Sequence, residues 1–156
     1  MEPKFVEKEA FNVMGFCLRG DPMSEEEHMD HEGAWREFMK RYEEVKTFST
    51  DGAYYGAYFG VEGEEGMMDL IAGMAVSNVE KAPEGLVIRE VPKAYYAIFE
   101  SKLKTIAQTY HHIFQEWLPK SSYESDDVTK PNFEFYPPDF SPESSSLFIH
   151  VPIKTK

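Results

Sequence analysis

One cysteine, Cys17, stands in a chain of 156 residues. A lone thiol makes no internal disulfide, so the fold must rest on its core, as suits a reducing compartment. Positive charge is also scarce. Sixteen Lys and Arg face 28 Asp and Glu, a formal net charge of −12. A protein that grips nucleic acid neutralises phosphate with Lys and Arg, so direct nucleic-acid binding is not expected. The same balance disfavours docking on an anionic membrane. No apolar run approaches the roughly 20 residues that span a bilayer. The opening "MEPKFVEKEAFNVMG" contains acids and no long apolar stretch, so no signal peptide is expected. These absences point to the cytoplasm. No nucleophilic triad is visible, and Cys17 has no base beside it in sequence, so it reads as a small buried hydrophobe. No cofactor is expected.

Apolar and aromatic residues are plentiful, at 42% and 15%. That composition supports one folded domain over residues 1–156, with a real core. Residues 5–18 read as a strand or a bent pair of strands. Ser24 and Glu27 have the spacing of a capping box, and the following helix sets Trp35, Phe38, Met39, Tyr42 and Val45 on one face. Residues 53–61 and 67–76 read as strands. After the break "EKAPEG" the order returns. Residues 86–101 read as strand, and 105–118 as a helix with Ile106, Tyr110, Ile113, Phe114 and Trp117 on one face. Residues 132–138 and 145–154 are the last strands.

The halves, about 1–80 and 86–156, also match weakly in letters. Val6 falls on Val87, Glu9 on Glu90, "YGAY" (55–58) on "FEFY" (133–136), and "DLIAGMAV" (69–76) on "SLFIHVPI" (146–153). The fold expected is therefore α+β: a duplicated βαββ module forming an antiparallel sheet with two helices and a central cleft on a pseudo-twofold axis. Pockets often form where two such units meet.

The stretch "PNFEFYPP" (131–138) sets a carboxylate inside an aromatic strand. Strand alternation sends Phe133 and Phe135 one way and Asn132, Glu134 and Tyr136 the other. Glu134 then faces water, is paired inside the protein, or meets a ligand, because an unpartnered buried carboxylate is costly. If the phenylalanines pack under the helices, Glu134 and Tyr136 line the opposite surface. Tyr58 and Tyr136 hold matching places in the two halves. Gly56 matches Glu134, which would leave room opposite the carboxylate, although a strand glycine also marks bulges. The tyrosines, among them Tyr55 and Tyr96, together with Trp117, are candidate rings for gripping a flat cation; each also serves as core or surface filler. Met67, Met68 and Met74 would make an adaptable lining or ordinary core. His28 and His31, with Asp30 and Glu32, are an acidic helix start rather than a metal site, so no metal is expected.

Several segments together resemble the GyrI-like small-molecule-binding domain, the effector-binding domain of AraC-type and MerR-type multidrug regulators. They are "MEPKFVEKEAFNVMGF" at the start, "VPKAYYAIFE" (91–100), "IFQEWLPKSSYES" (113–125), "NFEFYPPD" (132–139) and "LFIHVPIK" (147–154). The resemblance spans nearly the whole chain. It implies a duplicated βαββ fold and, in the cleft, a carboxylate from the penultimate strand at the position of Glu134. With no room for a DNA-binding head before position 1, a stand-alone member is expected. The resemblance implies three roles. The first is binding of bulky hydrophobic or cationic aromatic small molecules, by Glu134, Tyr136, Tyr58, Tyr55, Gly56, Tyr96, Trp117 and Met74. The second is hydrolysis of strained cyclopropanoid electrophiles by Glu134 and a pocket tyrosine, with Tyr96 the candidate. The third is a gyrase-type protein partner.

Overall fold

The structure, a computed structural model, describes residues 2–22, 24, 29–126 and 130–156. Strands β1 (Lys4–Lys8) and β2 (Phe11–Gly20) precede helices α1 (His31–Lys40) and α2 (Tyr42–Lys46), then strands β3 (Tyr54–Gly60) and β4 (Met68–Val76). The second half follows the same order, with β5 (Val87–Val91), β6 (Ala94–Lys102), helix α3 (Ile106–His111), and strands β8 (Asn132–Tyr136) and β9 (Ser146–Thr155). Helix α3 widens into a π-helical stretch, His112–Trp117, and closes with the short α4 (Leu118–Lys120). A three-residue strand missing from the sequence reading, β7 (Tyr123–Ser125), pairs with β9. Residues 86–101, read as one strand, are two, parted at Pro92–Lys93.

The strands form one antiparallel sheet in the order β1-β6-β9-β8-β3-β4-β2-β5. The α+β class expected from the sequence is the class observed. Exchange the elements of one half for those of the other, and the order reads the same from either edge. Each leading strand crosses over, β1 pairing with β6 and β5 with β2. At the centre β3 lies against β8, with Gly56 directly opposite Glu134. At the edges the letters mislead by two residues. Val6 faces Tyr96 and Arg89 faces Val13, so Val6 takes the place of Arg89, not of Val87. A two-residue offset preserves the pleat.

Helix α1 is capped by Asp30, whose Oδ1 accepts from the Gly33 amide at 2.9 Å. The expected capping box involves Glu27, which lies outside the described residues, and the helix starts at His31. It breaks at Arg41; Met39 faces outward, half exposed, while Phe38 and Val45 are fully buried. Where β2 and β4 pair, Gly15 faces Gly73. A Cβ on either would sit 2.0 Å from a carbonyl oxygen of the other strand, so only glycine permits this approach.

Both helical segments pack on one face of the sheet. Phe38 of α1 packs on Met14, Leu70 and Met74; Ile113 of the π-turn packs on Phe99, Leu147 and Ile149. Trp35 and Tyr54 touch both clusters and join them. The opposite face carries a third cluster that includes Val13, Tyr55, Tyr96 and Phe133. Phe133 thus packs away from the helices, and Glu134 and Tyr136 point toward them, the reverse of the arrangement considered from sequence. Among the described residues no helix is long and apolar enough to cross a membrane.

Candidate functional site

Glu134 sits at the middle of the sheet, between the two helical segments, and is 4% exposed. Alternation along β8 puts Tyr136 on the same face, and its hydroxyl donates to Oε1 at 2.5 Å. The Tyr110 hydroxyl, from α3, donates to Oε2 at 2.6 Å. Tyr58, diagonally across on β3, brings a third hydroxyl to the carboxylate. Three phenols therefore surround one carboxylate, and among the described residues no Lys or Arg pairs with it.

Gly56 explains how this fits. A Cβ there would lie 3.4 Å from Glu134 Oε1 and 3.4 Å from Trp35 Cζ2. The space that glycine leaves is taken by the carboxylate and the Trp35 ring. Trp35 also stands edge-on to Tyr136, with centroids 5.4 Å apart, and Phe140 backs Tyr136 from the other side at 5.0 Å. At the start of α1, His31 lies 5.9 Å from Tyr58, centroid to centroid, and its Nδ1 donates to the Met29 carbonyl at 2.9 Å.

Burial pushes the Glu134 carboxyl above its ordinary value. The hydroxyls of Tyr110 and Tyr136, the charge of His31 and the Tyr58 hydroxyl pull the other way, because each favours the ionised form. The phenols answer in kind. Tyr58, Tyr110 and Tyr136 are all raised, first by burial and then by the neighbouring carboxylate charge. Such phenols stay protonated and serve as donors. The arrangement can hold a negative charge in a place walled by rings, which is what a desolvated organic cation needs.

The structure brings Glu134, Tyr136, Tyr58 and Gly56 together and places the other candidates elsewhere. Tyr55 is on the far face, its hydroxyl donating to Asp51 Oδ2 at 2.6 Å. Tyr96 is fully buried on that face too, edge-on to Phe133 at 5.2 Å and to His150 at 5.6 Å. Trp117, at the end of the π-turn and partly buried, packs edge-on to Phe99 at 5.1 Å. Met74 belongs to the core under α1. His28 lies outside the described residues, and among the described ones no group of three or more His, Cys, Asp and Glu is placed to hold a metal.

Tyr110, one of the tyrosines that the sequence offers as candidate rings, completes the site together with Trp35 and His31. Trp35 is legible in the sequence only as an apolar-face residue of its helix, and Tyr110 as such a residue and as one ring among the many tyrosines. A cavity of about 470 Å³ adjoins the site beyond Tyr58, walled by Tyr58, Met67, Met68, Lys130 and Asn132, with Glu64 and Glu65 at the β3–β4 hairpin.

Residues 4–153 match the Cass2 family, described as integron-associated effector binding protein. The transcriptional regulator BrlR of Pseudomonas aeruginosa is 25% identical over 162 residues, taking in 98% of this chain and 56% of BrlR, so the chain spans little more than half the length of that relative. The structure of SAV2435 bound to tetraphenylphosphonium superposes with a TM-score of 0.76 at 14% identity, covering 99% of this chain and 94% of that one. The Vibrio cholerae integron cassette protein VCH_CASS2 gives 0.65 at 18% identity, covering 98% and 96%.

Proposed function

The chain belongs to the Cass2 family of integron-associated effector-binding proteins, and from that premise we propose that it binds bulky hydrophobic cations between α1 and α3, with Glu134 as counter-charge. One observation carries this reading: a buried carboxylate whose hydrogen-bond partners are phenols and which has no Lys or Arg partner among the described residues. A structural glutamate is ordinarily paired with a cation or left to water. This one is held ionisable among Trp35, Tyr58, Tyr110 and Tyr136, and aromatic faces attract organic cations. The tetraphenylphosphonium held by the similarly folded SAV2435 supports this ligand class. Entry requires the rings that cover Glu134 to part.

Isothermal titration with tetraphenylphosphonium, and with uncharged triphenylphosphine oxide beside it, tests the reading. Micromolar binding of the cation, lost in Glu134→Gln, is expected. Equal binding of the uncharged compound would remove the role of charge.

A second reading, hydrolysis of strained cyclopropanoid electrophiles, draws on the same carboxylate, since a raised pKa beside phenol donors suits proton transfer. In it Glu134 would activate a water, and Tyr58, Tyr110 or Tyr136 would supply the hydroxyl, because Tyr96 lies across the sheet. Against it, the phenols already occupy both carboxylate oxygens. A water-added product by mass spectrometry, formed over many turnovers, distinguishes it from binding.

A further inference from the structure

The cavity beyond Tyr58 does not have Glu134 in its lining but shares Tyr58 with its site. Tyr58 and Asn132 are direct cross-strand partners on the same face as Gly56 and Glu134. Tyr58 reaches Glu134 with its hydroxyl and faces the cavity with its side. Asn132 is two residues from Glu134 on the same strand face, and it too lines the cavity. Its Oδ1 is buried and has no hydrogen-bond partner. An acceptor left unmade in the interior is unfavourable, and the terminal amide torsion of Asn is broad enough to turn it toward a newcomer. The volume, about 470 Å³, falls in the range of small-molecule pockets. Val61, Met67 and Met68 give it apolar, adaptable walls.

Two of the charges at the cavity are already matched, while Glu65 lies exposed at the hairpin rim with no ion pair among the described residues. Lys130 Nζ lies 2.6 Å from Asp126 Oδ2, and Glu64 is paired with Arg19 at 3.5 Å. In its interior the cavity therefore offers the unpartnered Asn132 acceptor, with the Glu65 carboxylate in water at the rim.

We propose that this cavity is a second subsite of the ligand, taking an aryl arm whose N–H donates to Asn132 while the rest of the aromatic cation lies against Glu134. The proposal rests on the cation reading above and narrows it. The preferred ligands are extended aromatic cations bearing a primary arylamine or amide N–H, in preference to cations with no donor at all.

Two triarylmethane dyes separate the terms. Pararosaniline carries arylamine N–H groups; crystal violet has the same skeleton and charge with every N–H replaced by methyl. Tetraphenylphosphonium is the donor-free reference. Wild type is expected to bind pararosaniline about tenfold more tightly than crystal violet. Asn132→Leu, of similar size, should erase that preference and leave crystal violet and tetraphenylphosphonium within threefold of wild type. Met67→Trp, a hairpin change that fills the cavity without touching the sheet core, should weaken pararosaniline and spare tetraphenylphosphonium, and it keeps the test intact if Asn132→Leu fails to fold. If both variants weaken all three probes alike, or neither alters the pararosaniline preference, the subsite is overturned while the cation reading stands. If no cation binds wild type, the cation reading falls and the subsite with it.

Discussion

Strand β8 shows two faces that handle buried polarity in opposite ways. Toward the helices, Glu134 is surrounded by hydroxyl donors. Away from them, Phe133 stacks on His150 at 4.2 Å, and Tyr96 closes over both with a hydroxyl that has no partner. Burial acts on both faces. It lifts the Glu134 carboxyl, and it drives His150 down to about 3. The histidine is simply kept neutral, with Nδ1 bonded to the Phe148 carbonyl at 3.0 Å. The glutamate is different, because its neighbours work against the burial. A site is marked by groups that oppose desolvation; a core tolerates the neutral form.

The largest effect expected from this contrast lies on the far face. Between pH 6.5 and about 3 the unfolded chain binds a proton at His150 that the folded chain refuses. Stability from this group is complete above pH 6.5 and drains as pH falls, by about 1.4 kcal/mol per unit and on the order of 5 kcal/mol in all. Urea melts across this range should show the slope, and His150→Phe should flatten it. Next comes Glu134→Gln, expected to weaken tetraphenylphosphonium about a hundredfold, about 2.7 kcal/mol, with Phe133→Leu on the other face changing it less than threefold by the same titration. The carboxylate also sets two opposed pH curves. Its raised folded value means that its contribution to stability is present below pH 4.5 and is lost as pH rises through that value, while cation affinity is gained over the same interval. A rise of both together would break the comparison. Smaller again, Tyr110→Phe removes a charge-assisted donor, so affinity near neutrality should drop about tenfold, roughly 1.4 kcal/mol, and its pH midpoint should move upward. Smallest, Tyr96→Phe removes a hydroxyl that satisfies nothing. Thermal melts should show equal or slightly higher stability, by up to about 1 kcal/mol, with cation affinity unchanged.

Much of this was readable along the chain. Alternation alone separates Glu134 and Tyr136 from Phe133 and Phe135, and the weak internal match places Gly56 against Glu134, as the sheet does. The same alternation rules Tyr55 out of a face shared with Gly56 and Tyr58, since they differ in parity on one strand. Which face meets the helices is a different matter. It depends on how the sheet coils and on Trp35 settling over Gly56, contacts between residues far apart in sequence. The pairing of Tyr110 with Glu134 was hidden for that reason, since 24 residues separate it from its carboxylate. Strand β7 is three residues long and carries no pattern of its own; it exists because the end of β9 offers it an edge. The start of α1 depends on Asp30, a cap that competes with other acidic and hydroxyl residues in a stretch crowded with them.

The crossed leading strands carry a consequence for how the molecule comes apart. Because β1 is sewn to β6 and β5 to β2, neither half owns a complete sheet. A cut in the stretch between β4 and β5 would leave two fragments still laced at both edges and at the β3–β8 seam. Such a nicked protein should stay whole until it melts, and should melt in a single step, with Glu134 losing its phenols only when the entire lattice gives way.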